Sequence, residues 1–237
     1  MKIRVASLIT IGMLFSNSPA AWAQPSQQKY VEYVALGDSI AAGMTPYGDY
    51  DVSYPDMLKD MFKRKNTTMK DYDNFAISGY TSEQLKQDVQ NNSVVRKELR
   101  EATHITITIG ANDLFQRLLA DPSTVQQGIN TASTNLDVIL ETIDELNSHA
   151  KVYIMGYYNP FSYYPDEVQN FLVPLSDSLN HEIESRAIEN GNRYVATAQA
   201  IDSKFEKYMP NPEDNHLNVK GYEAIAKEFW KIIKKDD

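Results

Sequence analysis

The sequence predicts an α/β fold in which a parallel sheet of about five strands is covered on both faces by helices. Three observations carry that prediction. Short β-branched or aromatic runs alternate along the chain with longer segments of helical periodicity. Strand-like runs close on glycine, at Gly37, Gly79 and Gly110, as strands feeding tight turns do. No internal repeat, low-complexity tract or Pro/Ser-rich linker interrupts residues 30–233, so the elements belong to one domain.

Residues 30–36 form the first strand candidate, stopped by Gly37. Residues 54–65 read as a helix, with Met57, Leu58, Met61 and Phe62 on one face. Residues 73–77 are a short strand candidate ending at Ser78-Gly79. Thr81-Ser82-Glu83-Gln84 then has the form of a capping box, opening a polar helix. Residues 104–109 are the clearest strand, Ile and Thr alternating after His104 and closed by Gly110. A long helix follows over about 123–147, where Val125, Ile129, Leu136, Ile139, Leu140, Ile143 and Leu146 recur at helical spacing behind Pro122. Residues 151–156 are a fourth strand, about 167–190 a helix ended by Gly191, and 193–198 a fifth strand. The chain closes on a helix from about Val219, its apolar face made by Tyr222, Ile225, Phe229, Ile232 and Ile233.

Residues 1–23 stand apart from this pattern. Lys2 and Arg4 precede an apolar run from Val5 to Phe15, too short for the roughly 20 residues a bilayer-spanning helix needs. Small residues follow, ending in Ala21-Trp22-Ala23. A basic start, a short apolar core and an A-x-A exit describe a secretory signal peptide cleaved near Ala23. The expectation is an exported protein without stable membrane insertion, with residues 24–237 as its single domain.

Composition narrows the chemistry. The 237 residues include no cysteine, which excludes a disulfide framework, thiolate metal sites and a cysteine nucleophile. A formal net charge of −9 argues against a nucleic-acid partner. No H-E-x-x-H run or histidine cluster supports a metal centre, and no phosphate-binding glycine motif follows a strand. There are four histidines. His104 opens a strand, His149 ends a helix and His181 lies mid-helix, leaving His216 in a polar loop with Glu213 and Asp214 close before it.

Parallel sheets bind ligands beyond the carboxyl ends of their strands, where the unusual residues of this chain collect. In Gly37-Asp38-Ser39, Ser39 is either a nucleophile at the start of a helix or part of a simple cap. A serine hydroxyl needs a base to take its proton, and a helix-start N–H can hold an oxyanion. Asn112, in the loop after the most hydrophobic strand, either donates its amide to a developing charge or caps a helix. Gly79 offers an unobstructed backbone N–H. Either acid before His216 can orient its ring through Nδ1.

Taken together, Gly37-Asp38-Ser39-Ile40-Ala41-Ala42-Gly43, Gly79, Gly110-Ala111-Asn112-Asp113 and His216 resemble, in order, the four blocks of the SGNH, or GDSL-type, esterases and lipases. The resemblance spans essentially the whole chain after the leader. It implies a three-layer, flavodoxin-like SGNH hydrolase fold and a serine esterase or lipase, which the leader read above would make a secreted one. It also implies a Ser39–His216–acid triad and an oxyanion hole from the Ser39 and Gly79 N–H groups and the Asn112 amide. No cofactor and no metal are implied.

In two places the chain departs from the family. The usual block is Asp-x-x-His, whereas Glu213 stands three residues before His216 and Asp214 two before. Asp214 is the expected triad acid for its shorter reach, with Glu213 the alternative. Leu217 stands where the family often has proline.

The expected partner is a small-molecule, lipid or acylated-sugar ester, handled by a monomer. Tyr157, Tyr158, Phe161, Tyr163 and Tyr164, like Tyr47, Tyr50 and Tyr54, either line the crevice or pack beneath loops. Competing expectations are a carbohydrate O-deacetylase using the same residues and a catalytically silent carbohydrate- or surface-binding protein.

Overall fold

A computed structural model describes residues 30–64 and 67–236. The expected leader, residues 1–23, lies outside the described residues.

The chain enters the sheet through β1 (Tyr30–Gly37) and leaves it into one helical turn, α1 (Ser39–Ala42). α2 (Tyr54–Arg64) leads to β2 (Thr68–Asn74); α3 (Ser82–Asn91) and α4 (Ser93–Glu101) lead to β3 (His104–Thr108). α5 (Ala111–Ala120), a 3₁₀ turn (Pro122–Thr124) and α6 (Val125–Leu146) lie between β3 and β4 (Lys151–Gly156). α7 (Asp166–Glu189) returns to β5 (Arg193–Ala196). α8 (Ala198–Asp202), α9 (Phe205–Tyr208) and α10 (Val219–Asp236) complete the fold.

All five strands are parallel, in the order β2-β1-β3-β4-β5. The chain steps one way from β1 to β2 and then the other way through β3, β4 and β5. With right-handed crossovers this sends the helix of the first step and those of the later steps to opposite faces. α2 and α10 pack together on one side, and α3 to α7 form the layer on the other. The direction reverses between β1 and β3, which opens a crevice above their carboxyl ends. Their register places Gly37 beside Thr108, so the turns after both strands rise side by side.

Burial explains which elements are plain in the sequence. β3 is buried along its whole length and is β-branched accordingly. β2 is an edge strand of sequence Thr-Met-Lys-Asp-Tyr-Asp-Asn with no fully buried residue. A polar edge blunts pairing with other chains and also hides the strand from hydrophobic patterning. It therefore begins earlier than the expected 73–77 and ends at Asn74. Residues 75–77 continue alongside β1, Phe75 N–H donating to the Ala35 carbonyl and Ile77 N–H to that of Gly37.

Three further boundaries differ from expectation. Pro122–Thr124 is a separate 3₁₀ turn ahead of α6. The polar segment after Thr81 is two helices, split where the Asn92 side chain accepts from the Val94 and Val95 N–H groups and starts α4. Asn112, expected in a loop, lies within a helix over 111–120. The capping box at Thr81 is present, Gln84 accepting from the Thr81 N–H.

The core lies on both sides of β1, β3 and β4. Tyr54 illustrates how it was built: fully buried, it stacks on Phe229 of α10 at 4.8 Å and hydrogen bonds to Thr108 Oγ1 at 2.7 Å. That one ring ties α2, α10 and the end of β3 beneath the crevice.

Candidate active site

Ser39 owes its position to two constraints on the chain leaving β1. Gly37 sits at φ +150°, where a methyl group would come within 2.4 Å of the Thr108 carbonyl oxygen, so only glycine fits. Asp38 N–H bonds that same carbonyl at 2.9 Å, fixing the exit direction. The Asp38 carboxylate then caps α1 by accepting from the Ile40 N–H at 3.0 Å. The cap alternative raised for Asp38-Ser39 is thus half met: Asp38 caps, and Ser39 is the first helical residue with its hydroxyl free of the cap.

Asp38 is buried, and its other oxygen accepts from the Tyr157 hydroxyl at 2.5 Å. Burial outweighs both hydrogen bonds and pushes its pKa up to about 7. Tyr157, pushed far above its ordinary value by burial and then by the neighbouring Asp38, remains a neutral donor.

Ser39 and His216, 177 residues apart, meet across the crevice: Ser39 Oγ lies 2.8 Å from His216 Nε2. His216 Nδ1 lies 2.8 Å from Asp214 Oδ1, and the same oxygen accepts from the His216 backbone N–H at 2.7 Å. A carboxylate at Nδ1 holds the proton there and leaves the Nε2 lone pair facing Ser39. Glu213, the alternative acid, is exposed and makes no hydrogen bond to the ring.

The loop carrying these groups is held from several sides. The Tyr158 hydroxyl donates to the Asn215 carbonyl at 2.7 Å, and Asn211 Nδ2 to the Pro46 carbonyl at 2.8 Å. Asn218 starts α10 by accepting from the Gly221 N–H. Leu217, the departure from the family pattern, is fully buried against Gly221.

On the opposite rim, the N–H groups of Ser39 and Gly79 donate to no described residue. Gly79 has φ +83° with open space where a side chain would be. Asn112 lies in the first turn of α5 rather than in a loop. One of its amide hydrogens goes to the Tyr80 carbonyl at 2.8 Å, which aims the group and leaves the second hydrogen available. Asp113 ties the Gly79 and Asn112 segments together: its oxygens accept from the Ser82 N–H at 2.8 Å and the Ser82 hydroxyl at 2.7 Å. Burial nevertheless raises the Asp113 pKa.

These groups surround a cavity of about 230 Å³ walled by Ile40, Leu114, Phe115, Pro160 and Leu179. Of the aromatic residues flagged in the sequence, Tyr157 and Tyr158 line it. Phe161 packs behind Phe115, and Tyr163 ties down the Met209 carbonyl. Tyr54 is core, whereas Tyr47, Tyr50 and Tyr164 are exposed. Of the other histidines, His104 is buried between Phe62 and Tyr153. The carboxylates of Asp71, Asp73 and Glu98 approach one another outside the crevice, with Glu98 paired to Lys97.

Sequence reasoning missed Tyr157 as a partner of Asp38, and it missed Ser82. The signal for Ser82 was present in Asp113, a carboxylate beside a helix start that needs donors. None existed for the pairing of Tyr157 with a residue 119 positions away.

Residues 35–224 match the GDSL-like lipase/acylhydrolase family. A Bacillus subtilis (strain 168) protein, YpmR, described as uncharacterized, is 26% identical over 257 residues, spanning all of this chain and 98% of its own length. Among solved structures, the lipase Lip_vut3 from a goat rumen metagenome superposes with a TM-score of 0.72 at 21% identity, covering 84% of this chain and 95% of its own. The acetylxylan esterase Axe2 from Geobacillus stearothermophilus gives 0.64 at 16%, over 86% and 94%. The two structural likenesses carry the fold; the family match carries the chemistry. The chain belongs to the GDSL-like lipase/acylhydrolase family and is a carboxylic ester hydrolase.

Proposed function

We propose that the protein cleaves short- to medium-chain acyl esters, lipid-like esters among them, through an acyl-enzyme on Ser39. His216 Nε2 takes the Ser39 proton as Oγ bonds to the ester carbonyl carbon. The oxyanion formed is held by the Ser39 and Gly79 N–H groups and the free Asn112 amide hydrogen. The ester C–O bond then breaks, and His216 returns its proton to the departing alkoxide. Water, deprotonated by the same imidazole, attacks the acyl-enzyme, and collapse of the second tetrahedral species frees the acid and restores Ser39. Asp214 accepts from His216 Nδ1–H throughout, orienting the ring and stabilising the imidazolium.

The observation that carries this reading is the His216 ring bridging Ser39 Oγ and Asp214 Oδ1 at 2.8 Å on either side. A catalytically silent binding protein has no use for that alignment beside unpaired N–H donors. The apolar cavity favours an acyl group longer than acetyl over the alternative of carbohydrate O-deacetylation. Its volume, below the roughly 300–1,000 Å³ typical of drug-sized ligand sites, suits a short to medium acyl chain.

The test is labelling with a fluorophosphonate, followed by mapping of the modified peptide and a rate profile over 4-nitrophenyl esters and acetylated xylan. Modification at Ser39, loss of turnover in Ser39→Ala and preference for the longer acyl esters support the reading. Full turnover in Ser39→Ala removes it, and dominant acetate release from xylan transfers it to the deacetylase.

Export after cleavage near Ala23 belongs to the same proposal. It rests on the basic start, the short apolar run and the Ala21-Trp22-Ala23 exit of the sequence. Amino-terminal sequencing of the protein recovered outside the cytoplasm tests it.

A further inference from the structure

Apart from the groups assigned to the acyl-enzyme chemistry, the wall of the crevice holds a helical hydroxyl without a protein partner. Ser176 of α7 lines the same cavity as Ser39 and His216, is 8% exposed, and has no hydrogen-bond partner among the described residues. Serine and threonine inside helices commonly donate back to the carbonyl one turn earlier. Thr131 and Thr142 of α6 do so, to Gln127 and Val138 at 2.8 and 2.7 Å. Ser176 does not, so its hydroxyl is left to the cavity.

Its neighbours on the inner side of α7 are already engaged. One turn on, Asn180 clamps the Tyr157 backbone from both ends of its amide, at 2.7 and 2.8 Å. Glu182 accepts from Ser133 at 2.6 Å. Around Ser176 the wall is hydrocarbon and ring: Leu114 and Phe115 from α5, Leu179 one turn along its own helix, and Pro160. A plain alkyl chain seated there cuts the hydroxyl off from solvent and leaves the donor unsatisfied, whereas a chain bearing its own hydroxyl supplies a partner.

We infer that this cavity is an acyl subsite for hydroxyacyl esters, with Ser176 Oγ as the hydrogen-bond partner of the chain's hydroxyl. The inference rests on the Ser39 acyl-enzyme proposed above and narrows its substrate class. A buried group built to hydrogen bond its substrate discriminates against the analogue that lacks the partner more sharply than an apolar wall discriminates by size.

The test compares kcat/KM for 4-nitrophenyl hexanoate and octanoate with the same esters carrying one hydroxyl at C3 or at the terminal carbon. In the unaltered protein at least one hydroxylated ester should exceed its plain parent by about tenfold. Ser176→Ala should reverse that ratio by raising the plain ester and lowering the hydroxylated one. Ser176→Cys, which keeps the size and weakens the donor, should fall between. Labelling of Ser39 by a small ethyl fluorophosphonate should go to completion in all three proteins, which reports an intact nucleophile. Plain esters favoured across the panel, or a ratio unmoved by both substitutions while Ser39 still labels, overturns the subsite alone. Failure of Ser39 to label in the unaltered protein overturns the nucleophile assignment and the subsite with it.

Discussion

The Tyr157 hydroxyl donates to Asp38 Oδ2 at 2.5 Å, directly beneath the residue that presents its own hydroxyl to His216. The contact joins the exits of β1 and β4 and gives the α1 cap a second anchor. Because Asp38 is buried, the cap also couples the fold to pH.

The sign of that coupling follows from the proton. An unfolded Asp38 ionises near pH 4, whereas the folded carboxyl holds its proton up to about 7. Between those values the folded state binds more protons, so rising pH drains stability, and the loss is complete above about 7. Asp202, raised by burial to about 6, acts in the same direction over a narrower window. Asp38→Asn should flatten the decline between about pH 4 and 7 and leave the contribution of Asp202. Urea unfolding of both proteins at pH 4.5 and 7.5 checks it; equal slopes remove Asp38 as the source.

His216 should depend on one acid only. Asp214→Asn keeps the size of the side chain but presents an amide to Nδ1, favouring the wrong tautomer, and kcat should fall by about 10⁴. Glu213→Gln alters an exposed side chain with no contact to the ring and should leave kcat within about threefold. A fall for Glu213→Gln comparable to that for Asp214→Asn would mean the loop rearranges when substrate binds.

The parts of the fold legible in the sequence were those whose burial dictates their composition. β3 could be read because a strand buried on both faces has to be apolar, and α6 because its buried stripe repeats every turn. β2 was misplaced because an edge strand has no such demand, and α5 because Gly110-Ala111-Asn112-Asp113 has the composition of a turn as much as of a helix start. The residues the structure gathers around the crevice stood out because each leaves a strand end or precedes a helix through a polar segment. Ser176 did not, because a serine within a helix is ordinary until its neighbours are known. The link from Tyr157 to Asp38 needed the sheet order itself.

Asn112 bears on the rate without carrying the fold. On the proposed mechanism Asn112→Ala removes one donor to the oxyanion, which should lower kcat by about 10²–10³. The broken bond to the Tyr80 carbonyl should cost only about 1 kcal/mol of stability. Paired kcat and unfolding measurements test this, and a loss of rate matched by a large loss of stability would reassign Asn112 to structure.

Asp113→Ala should show the opposite balance. It strips both acceptors from Ser82, whose N–H at the start of α3 is fully buried. An unsatisfied buried donor costs about 1–3 kcal/mol, or some 2–10 °C in a chain of this size. Since Asp113 follows Asn112 and Ser82 follows the Gly79 turn closely, kcat should fall as well. Asp113→Asn, which keeps one acceptor, should recover part of both in thermal unfolding and turnover assays.

Two glycines at the crevice separate conformational strain from lack of space. Gly79 at φ +83° faces open volume, so Gly79→Ala meets only the backbone penalty of a left-handed residue, about 1–2 kcal/mol. Gly37 at φ +150° would place a methyl 2.4 Å from the Thr108 carbonyl oxygen and 3.2 Å from the Ala41 Cβ. Relief requires β1 and β3 to part at the register pair Gly37–Thr108, which also breaks the bond from Asp38 N–H to that carbonyl. Gly37→Ala should therefore cost about 4 kcal/mol, strain and overlap together. It should also move Ser39 away from His216, so that the fluorophosphonate labelling rate falls with stability. In Gly79→Ala, labelling should fall only as far as oxyanion support is lost, and stability by no more than that backbone penalty. If the two variants unfold alike, the tight exit from β1 is more yielding than the overlap with Thr108 implies.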